Sequence, residues 1–123
     1  MIPNAYTTGE TDRRPWGTWK VLDVMPHVVV KKLVIDPGRR ISLQRHRYRS
    51  ERWIVVDGLA CVQKDGEEVH LQPGEGIFLP QGCLHRLAND TSEPATIIEI
   101  QFGELLSEDD IERFNDDYGR VAK

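Results

Sequence analysis

The sequence predicts an all-β sandwich or barrel. Short apolar or alternating runs fill the stretch from Trp19 to Phe102. Glycine, proline, asparagine and aspartate break them at intervals of about eight to twelve residues, the spacing of short strands in a sandwich. Only one stretch, near the C-terminus, changes to a helical period.

The elements follow in order. Residues 1–13 are polar, contain Pro3 and Gly9, and read as an N-terminal arm. Residues 14–123 read as one domain, as 123 residues suit. Its strand candidates are 19–23, 28–35, 41–46, 53–56, 60–64, 67–71, 76–79, 85–88 and 95–102. Between them stand Asp36-Pro37-Gly38, Asp57-Gly58, Asp65-Gly66, Pro73-Gly74, Pro80-Gln81-Gly82 and Asn89-Asp90. Lys64-Asp65-Gly66-Glu67 is a tight-hairpin signal. Ser107 followed by acids at 108–110 resembles a helix cap, and Ile111, Phe114 and Tyr118 recur at helical spacing. A short C-terminal helix over about 108–117 is therefore expected. Trp53-Ile54-Val55-Val56 is apolar on both faces of a strand, so the arm, the helix or a second subunit should cover its outer side. Trp16 and Trp53 read as core or interface residues.

Composition bounds the function. The hydrophobic fraction is 39% and the charged fraction 29%, as in ordinary soluble domains. No apolar run approaches the ~20 residues of a membrane helix, and the N-terminus lacks a signal-peptide pattern. A cytoplasmic protein with no membrane partner is expected, with Cys61 and Cys83 as reduced thiols. The net charge of −4 argues against nucleic acid as a partner. That charge is uneven, because residues 31–52 hold eight basic and two acidic residues. Such a stretch could attract a small anion such as a sugar phosphate, or form a solvated face.

Four residues could converge on a metal. Gln44 and His46 lie two apart and share a strand face, while Glu51 and His85 come from later segments. A nitrogen and oxygen donor set without thiolate suits one divalent ion among Zn, Ni, Co, Mn and Fe. Spacing alone equally fits hydrogen-bonded strand histidines, and His27 and His70 are read that way.

The spacing also resembles a family. Gly38, five residues, Gln44-x-His46, four residues, Glu51, six residues and Gly58 resemble the first cupin motif, with Gln44 in place of its usual first histidine. Gly74, five residues, Pro80-x-Gly82-x-x-His85-x-x-x-Asn89 resemble the second. Arg14-Pro15-Trp16-Gly17, Ser42-Leu43-Gln44-x-His46, Glu51-x-Trp53-Ile54-Val55-Val56-x-Gly58 and residues 108–120 are similar to the cupin module of type II phosphomannose isomerase.

The resemblance implies a cupin jelly roll, usually a homodimer, with a divalent metal on Gln44, His46, Glu51 and His85. It implies interconversion of mannose 6-phosphate and fructose 6-phosphate, with Arg49 important for activity. In that family the module often follows a guanylyltransferase domain. That domain needs a Gly-rich nucleotide-binding loop and a Rossmann-like pattern, which these 123 residues lack. Three family histidines are replaced by Arg47, Tyr48 and Arg52. Tyr48 is expected to share the inward face of Gln44 and His46 and is the second catalytic candidate. Arg39, Arg40 and Arg47 are phosphate-binding candidates, while Arg45 should face away from the ligands. Two alternatives are a non-catalytic module that binds a sugar or sugar phosphate and another small metal-dependent cupin enzyme, such as an oxygenase.

Overall fold

Period-two alternation builds the interior and also locates its polar end. In the computed structural model, which describes residues 4–121, β3 (Val28–Ile35) buries Val29, Lys31, Leu33 and Ile35. The strand β5 (Arg49–Asp57) buries Arg49, Glu51, Trp53 and Val55, and β10 (Ala95–Gly103) buries Ala95, Ile97, Glu99 and Gln101. These strands are neighbours in one sheet, with Ile97 level with Leu33 and Val55. Glu99 is level with Lys31 and Trp53, and Gln101 with Glu51. The inward phase is thus apolar at one end of the sandwich and charged at the other.

That sheet has six strands in the order β1-β2-β3-β10-β5-β8, where β1 is Thr11–Arg14, β2 Gly17–Met25 and β8 Gly76–Leu79. The second sheet runs β11-β4-β9-β6-β7, where β4 is Leu43–Arg45, β6 Ala60–Lys64, β7 Glu67–Leu71, β9 His85–Ala88 and β11 Glu112–Asn115. Every strand pairing within the sheets is antiparallel. The hairpin at Lys64–Glu67 turns through Asp65 (φ 47°) and Gly66 (φ 86°), the left-handed pair that a tight two-residue loop requires. Gly58 has φ 79°, and a Cβ there would lie 2.5 Å from the Pro94 carbonyl oxygen, so only glycine fits.

Two expectations about the ends are corrected. No helix occurs among the described residues. The segment expected to be helical carries β11, which pairs Arg113 with Gln44 and Glu112 with Arg45. The Ser107 side chain accepts from the Asp109 N–H in a local turn. The Asp110 N–H closes the same turn on the Ser107 carbonyl at 3.2 Å, and the Asp110 carboxylate accepts from the backbone N–H groups of Arg47 and Tyr48 at 2.8 and 2.9 Å. Pairing with the otherwise open edge of β4 wins over the capping signal. Phe114, part of the helically spaced apolar set, is 44% exposed under Arg45.

At the other end, the stretch read as an arm contributes to the core. Tyr6 is 7% exposed and packs edge-on against Trp19, and the Ala5 N–H bonds to the Leu106 carbonyl. Ile54 and Val56 face outward on β5, and Val56 is 52% exposed. Cys61 and Cys83 are free thiols.

Candidate metal centre and anion pocket

Two imidazoles and one carboxylate meet at the polar end of the interior. His46 follows β4, Glu51 lies on β5 and His85 opens β9. One donor atom from each lies within 4.8 Å of the others. All three are at most 3% exposed. His46 Nδ1 is 2.7 Å from the Asp110 carbonyl oxygen, and His85 Nδ1 is 3.0 Å from that of Cys83. Each carbonyl can only accept, so both Nδ1 atoms carry the proton and both Nε2 atoms present lone pairs.

Those lone pairs point inward. His46 Nε2 lies 3.2 Å from Glu51 Oε2, and His85 Nε2 lies 3.9 Å from Glu51 Oε1. His85 Nε2 is buried and has no hydrogen-bond partner. An orphaned buried acceptor beside a second imidazole and a carboxylate is the chemistry a divalent cation satisfies. The residues therefore fit a metal. Gln44 pairs in register with His85, and its Oε1 accepts from Ser42 Oγ at 3.1 Å.

The electrostatics agree with that use. Burial, then Arg49 and His85, push His46 far below the usual imidazole range, so it stays neutral. Burial alone would raise Glu51. Arg49, which donates from Nε to Glu51 Oε2 at 2.7 Å, and His85 outweigh it and keep the carboxyl below its ordinary value. Arg49 also donates to the Ser107 carbonyl. The Trp53 indole N–H is shared between Glu51 Oε1 (3.1 Å) and Glu99 Oε1 (2.9 Å).

Beside this centre lies a cavity that sequence reasoning missed. Gln44, His46 and Arg49 line it together with Lys31, Glu99, Glu108, Arg14, Arg113 and Arg120. Lys31 bonds to Glu108 at 2.9 Å, and Tyr6 OH donates to the same carboxylate. Arg113 Nε is buried without a partner, and no ion pair among the described residues involves Arg113. Burial and the nearby guanidiniums of Arg120 and Arg14 lower its hold on the proton. Arg120 is held by both oxygens of Asp116 and Arg14 lies 3.5 Å from Glu108, so Arg113 Nε is the unmet donor of this basic cluster. The two carboxylates differ. Burial and the Glu51 charge raise Glu99 above the usual range, whereas Lys31 and Tyr6 overcome burial to hold Glu108 low.

The other candidate residues lie outside the cavity. Tyr48 does not share the inward face, because β4 stops at Arg45 and β5 restarts the inward phase at Arg49, leaving Tyr48 41% exposed. Arg47 is exposed beside the Tyr48 ring, and Arg52 lies over Phe78 on the outer face. Arg40 is taken by Asp117 at 2.8 Å, and Arg39 is exposed near Tyr118. Arg45 faces outward as expected and pairs with Glu112. Lys31 and Glu99 carried a readable signal, since each is a charged residue in the apolar phase of its strand.

Comparison with known proteins places the chain. Residues 3–116 match the family described as mannose-6-phosphate isomerase C-terminal. The alginate biosynthesis protein AlgA of Pseudomonas aeruginosa is 44% identical over 89% of this chain and 23% of its own length. A mannose-1-phosphate guanylyltransferase of Escherichia coli is 42% identical over 88% of this chain and 23% of its own length. The chain thus spans about a quarter of these relatives. A double-stranded β-helix protein from Klebsiella pneumoniae has the same fold, with TM-score 0.68, 20% identity and coverage of 93% of this chain and 92% of that one. The chain belongs to the mannose-6-phosphate isomerase C-terminal family, and its fold is that of the cupins.

Proposed function

We propose that this member of the mannose-6-phosphate isomerase C-terminal family interconverts mannose 6-phosphate and fructose 6-phosphate. One observation carries the reading: a carboxylate and two imidazoles, one with an unpartnered Nε2, converge beside a cavity lined by crowded cations, among them Arg113 with its Nε unmet. His46, Glu51 and His85, with Gln44 alongside, would hold a divalent metal. Such an ion supplies Lewis acidity for negative charge developing on the sugar oxygens.

The chain's own residues supply the rest. Arg113, flanked by Arg14 and Arg120, binds the phosphate through charge-assisted hydrogen bonds. Glu99 takes the proton from C2 of the aldose while the electrons of that C–H bond move into the enediolate. It then returns the proton at C1 while the O2 hydroxyl proton passes to O1, which leaves the ketose carbonyl at C2. Burial and the Glu51 charge raise the Glu99 carboxyl above the ordinary value, which makes it a stronger base than a free carboxylate. Arg49 stays charged beside Glu51 and orients its carboxylate. Arg47, Tyr48 and Arg52, which replace family histidines, sit outside the cavity, so these departures leave its interior whole.

A coupled assay tests this directly. With mannose 6-phosphate and Zn, Ni, Co, Mn or Fe added in turn, fructose 6-phosphate should accumulate with at least one metal. Saturable sugar-phosphate binding without turnover under every metal would instead assign a binding module. The expected homodimer has a natural face, because Ile54, Val56, Ile98 and Ile100 form an outward apolar surface on two neighbouring strands, bordered by Arg52 stacked on Phe78. A dimer mass by light scattering that Ile100→Glu reduces to a monomer supports it. A monomeric wild type removes it.

A further inference from the structure

The outer face of the second sheet carries a separate cluster of metal-binding side chains. Cys61 on β6 stands directly opposite His70 on β7, and Glu68 lies two residues before His70 on the same face. Inward positions of these strands, Val62 and Leu71, belong to the core, whereas Cys61 stands in the opposite phase of β6, 8% exposed, at the wall of an open cavity on the outer face. One donor atom from each of Cys61, Glu68 and His70 lies within 4.8 Å of the others. His70 and Glu68 already touch at 3.1 Å. Cys61 and His70 line one open cavity with Asp90, which follows β9.

We infer that Cys61, Glu68 and His70 form a second metal site, one that takes a thiophilic divalent cation of the Zn2+ class. The argument rests on donor chemistry and on scaffold. A thiolate, an imidazole and a carboxylate form a set that zinc and cobalt accept and that Mg2+ or Ca2+ disfavour. Bond lengths of about 2.0–2.3 Å require the donors to draw together by roughly an ångström. His70 and Glu68 are exposed and free to do so, while the hairpin fixes Cys61 and His70 across from each other. Asp90 offers a further oxygen from the same cavity. The site shares no residue with the internal centre, whose donor set contains no sulfur. A cation here ties the edge strand β7 to its neighbour and stabilises the fold by mass action.

Cobalt distinguishes the two sites, because only thiolate ligation gives a near-ultraviolet sulfur-to-cobalt charge-transfer band. Titration of the full chain with Co2+ should produce that band. Cys61→Ser should abolish it, and His70→Ala should weaken the cobalt affinity read from it at least tenfold. Cys83→Ser should leave it in place, as should the double variant His46→Ala/His85→Ala. His70 is on the surface, so its variant tests the site without disturbing the core. Absence of the band in the wild type, or its survival in Cys61→Ser, would overturn the inference. Neither result bears on the internal centre.

Discussion

Replacing Arg113 with methionine separates anion binding from folding. The guanidinium lies beside Arg14 and Arg120, and its Nε is buried without a partner. Arg113→Met therefore breaks no ion pair in the free protein, and it removes repulsion from Arg120 and Arg14 together with attraction to Asp116 and Glu108, while keeping an apolar stem against β4. The midpoint of urea unfolding should stay level or rise. The bound state should suffer, because a hydrogen bond from a charged group is worth about 1.5–3 kcal/mol. That is a loss of roughly 10- to 150-fold in affinity. Calorimetric titration with fructose 6-phosphate, on metal-loaded wild type and variant, reads the effect without requiring turnover. Arg113→Lys should fall between the two, since it keeps the charge and loses the paired donors. Equal dissociation constants for wild type and Arg113→Met would refute the assignment of the phosphate to this cation cluster.

Three further outcomes are expected. Tyr6→Ala should cost about 3–5 kcal/mol in urea unfolding, as for other buried aromatics, whereas a residue in a loose arm would change stability by under ~0.5 kcal/mol. The metal-free protein should lose the His46 contribution to stability as pH falls below about 6.5. The folded imidazole resists protonation and the unfolded one accepts it, so the unfolded state binds more protons and acid favours it. His46→Asn should remove that part of the slope, and an unchanged slope would contradict the assignment. Glu99→Gln should lower kcat by about 10²–10⁴-fold with metal content unchanged. A kcat within a factor of about three of wild type would take the proton transfer away from Glu99.

Much of the architecture was legible because strands declare themselves by period and turn. The runs at 28–35, 60–64, 67–71, 76–79 and 85–88 coincide with strands, and Asp65-Gly66 turns as its sequence predicts. The C-terminal segment misled because Ser107, the acids after it and the Ile111/Phe114/Tyr118 spacing are local signals. What decided the outcome was distant: the open edge of β4, and the Asp110 carboxylate reaching the backbone of Arg47 and Tyr48. Tyr6 was hidden for a similar reason, since a lone aromatic in a polar stretch gives no period. His46, Glu51 and His85 could be found from motif spacing. The cation cluster could not, because Arg14, Arg113 and Arg120 come from opposite ends of the chain and meet only in the fold. The basic run at 31–52 drew attention to Arg39, Arg40 and Arg47, yet a run of charge along a strand divides between faces, and only the inward phase reaches the cavity.

The metal itself is the sharpest measurement. Crystals soaked in Zn2+ or Co2+, with diffraction recorded at that metal's absorption edge, should show an anomalous peak enclosed by His46 Nε2, His85 Nε2 and a Glu51 oxygen, about 2.0–2.3 Å from each. A fully loaded crystal whose map is flat between these three side chains would contradict the account.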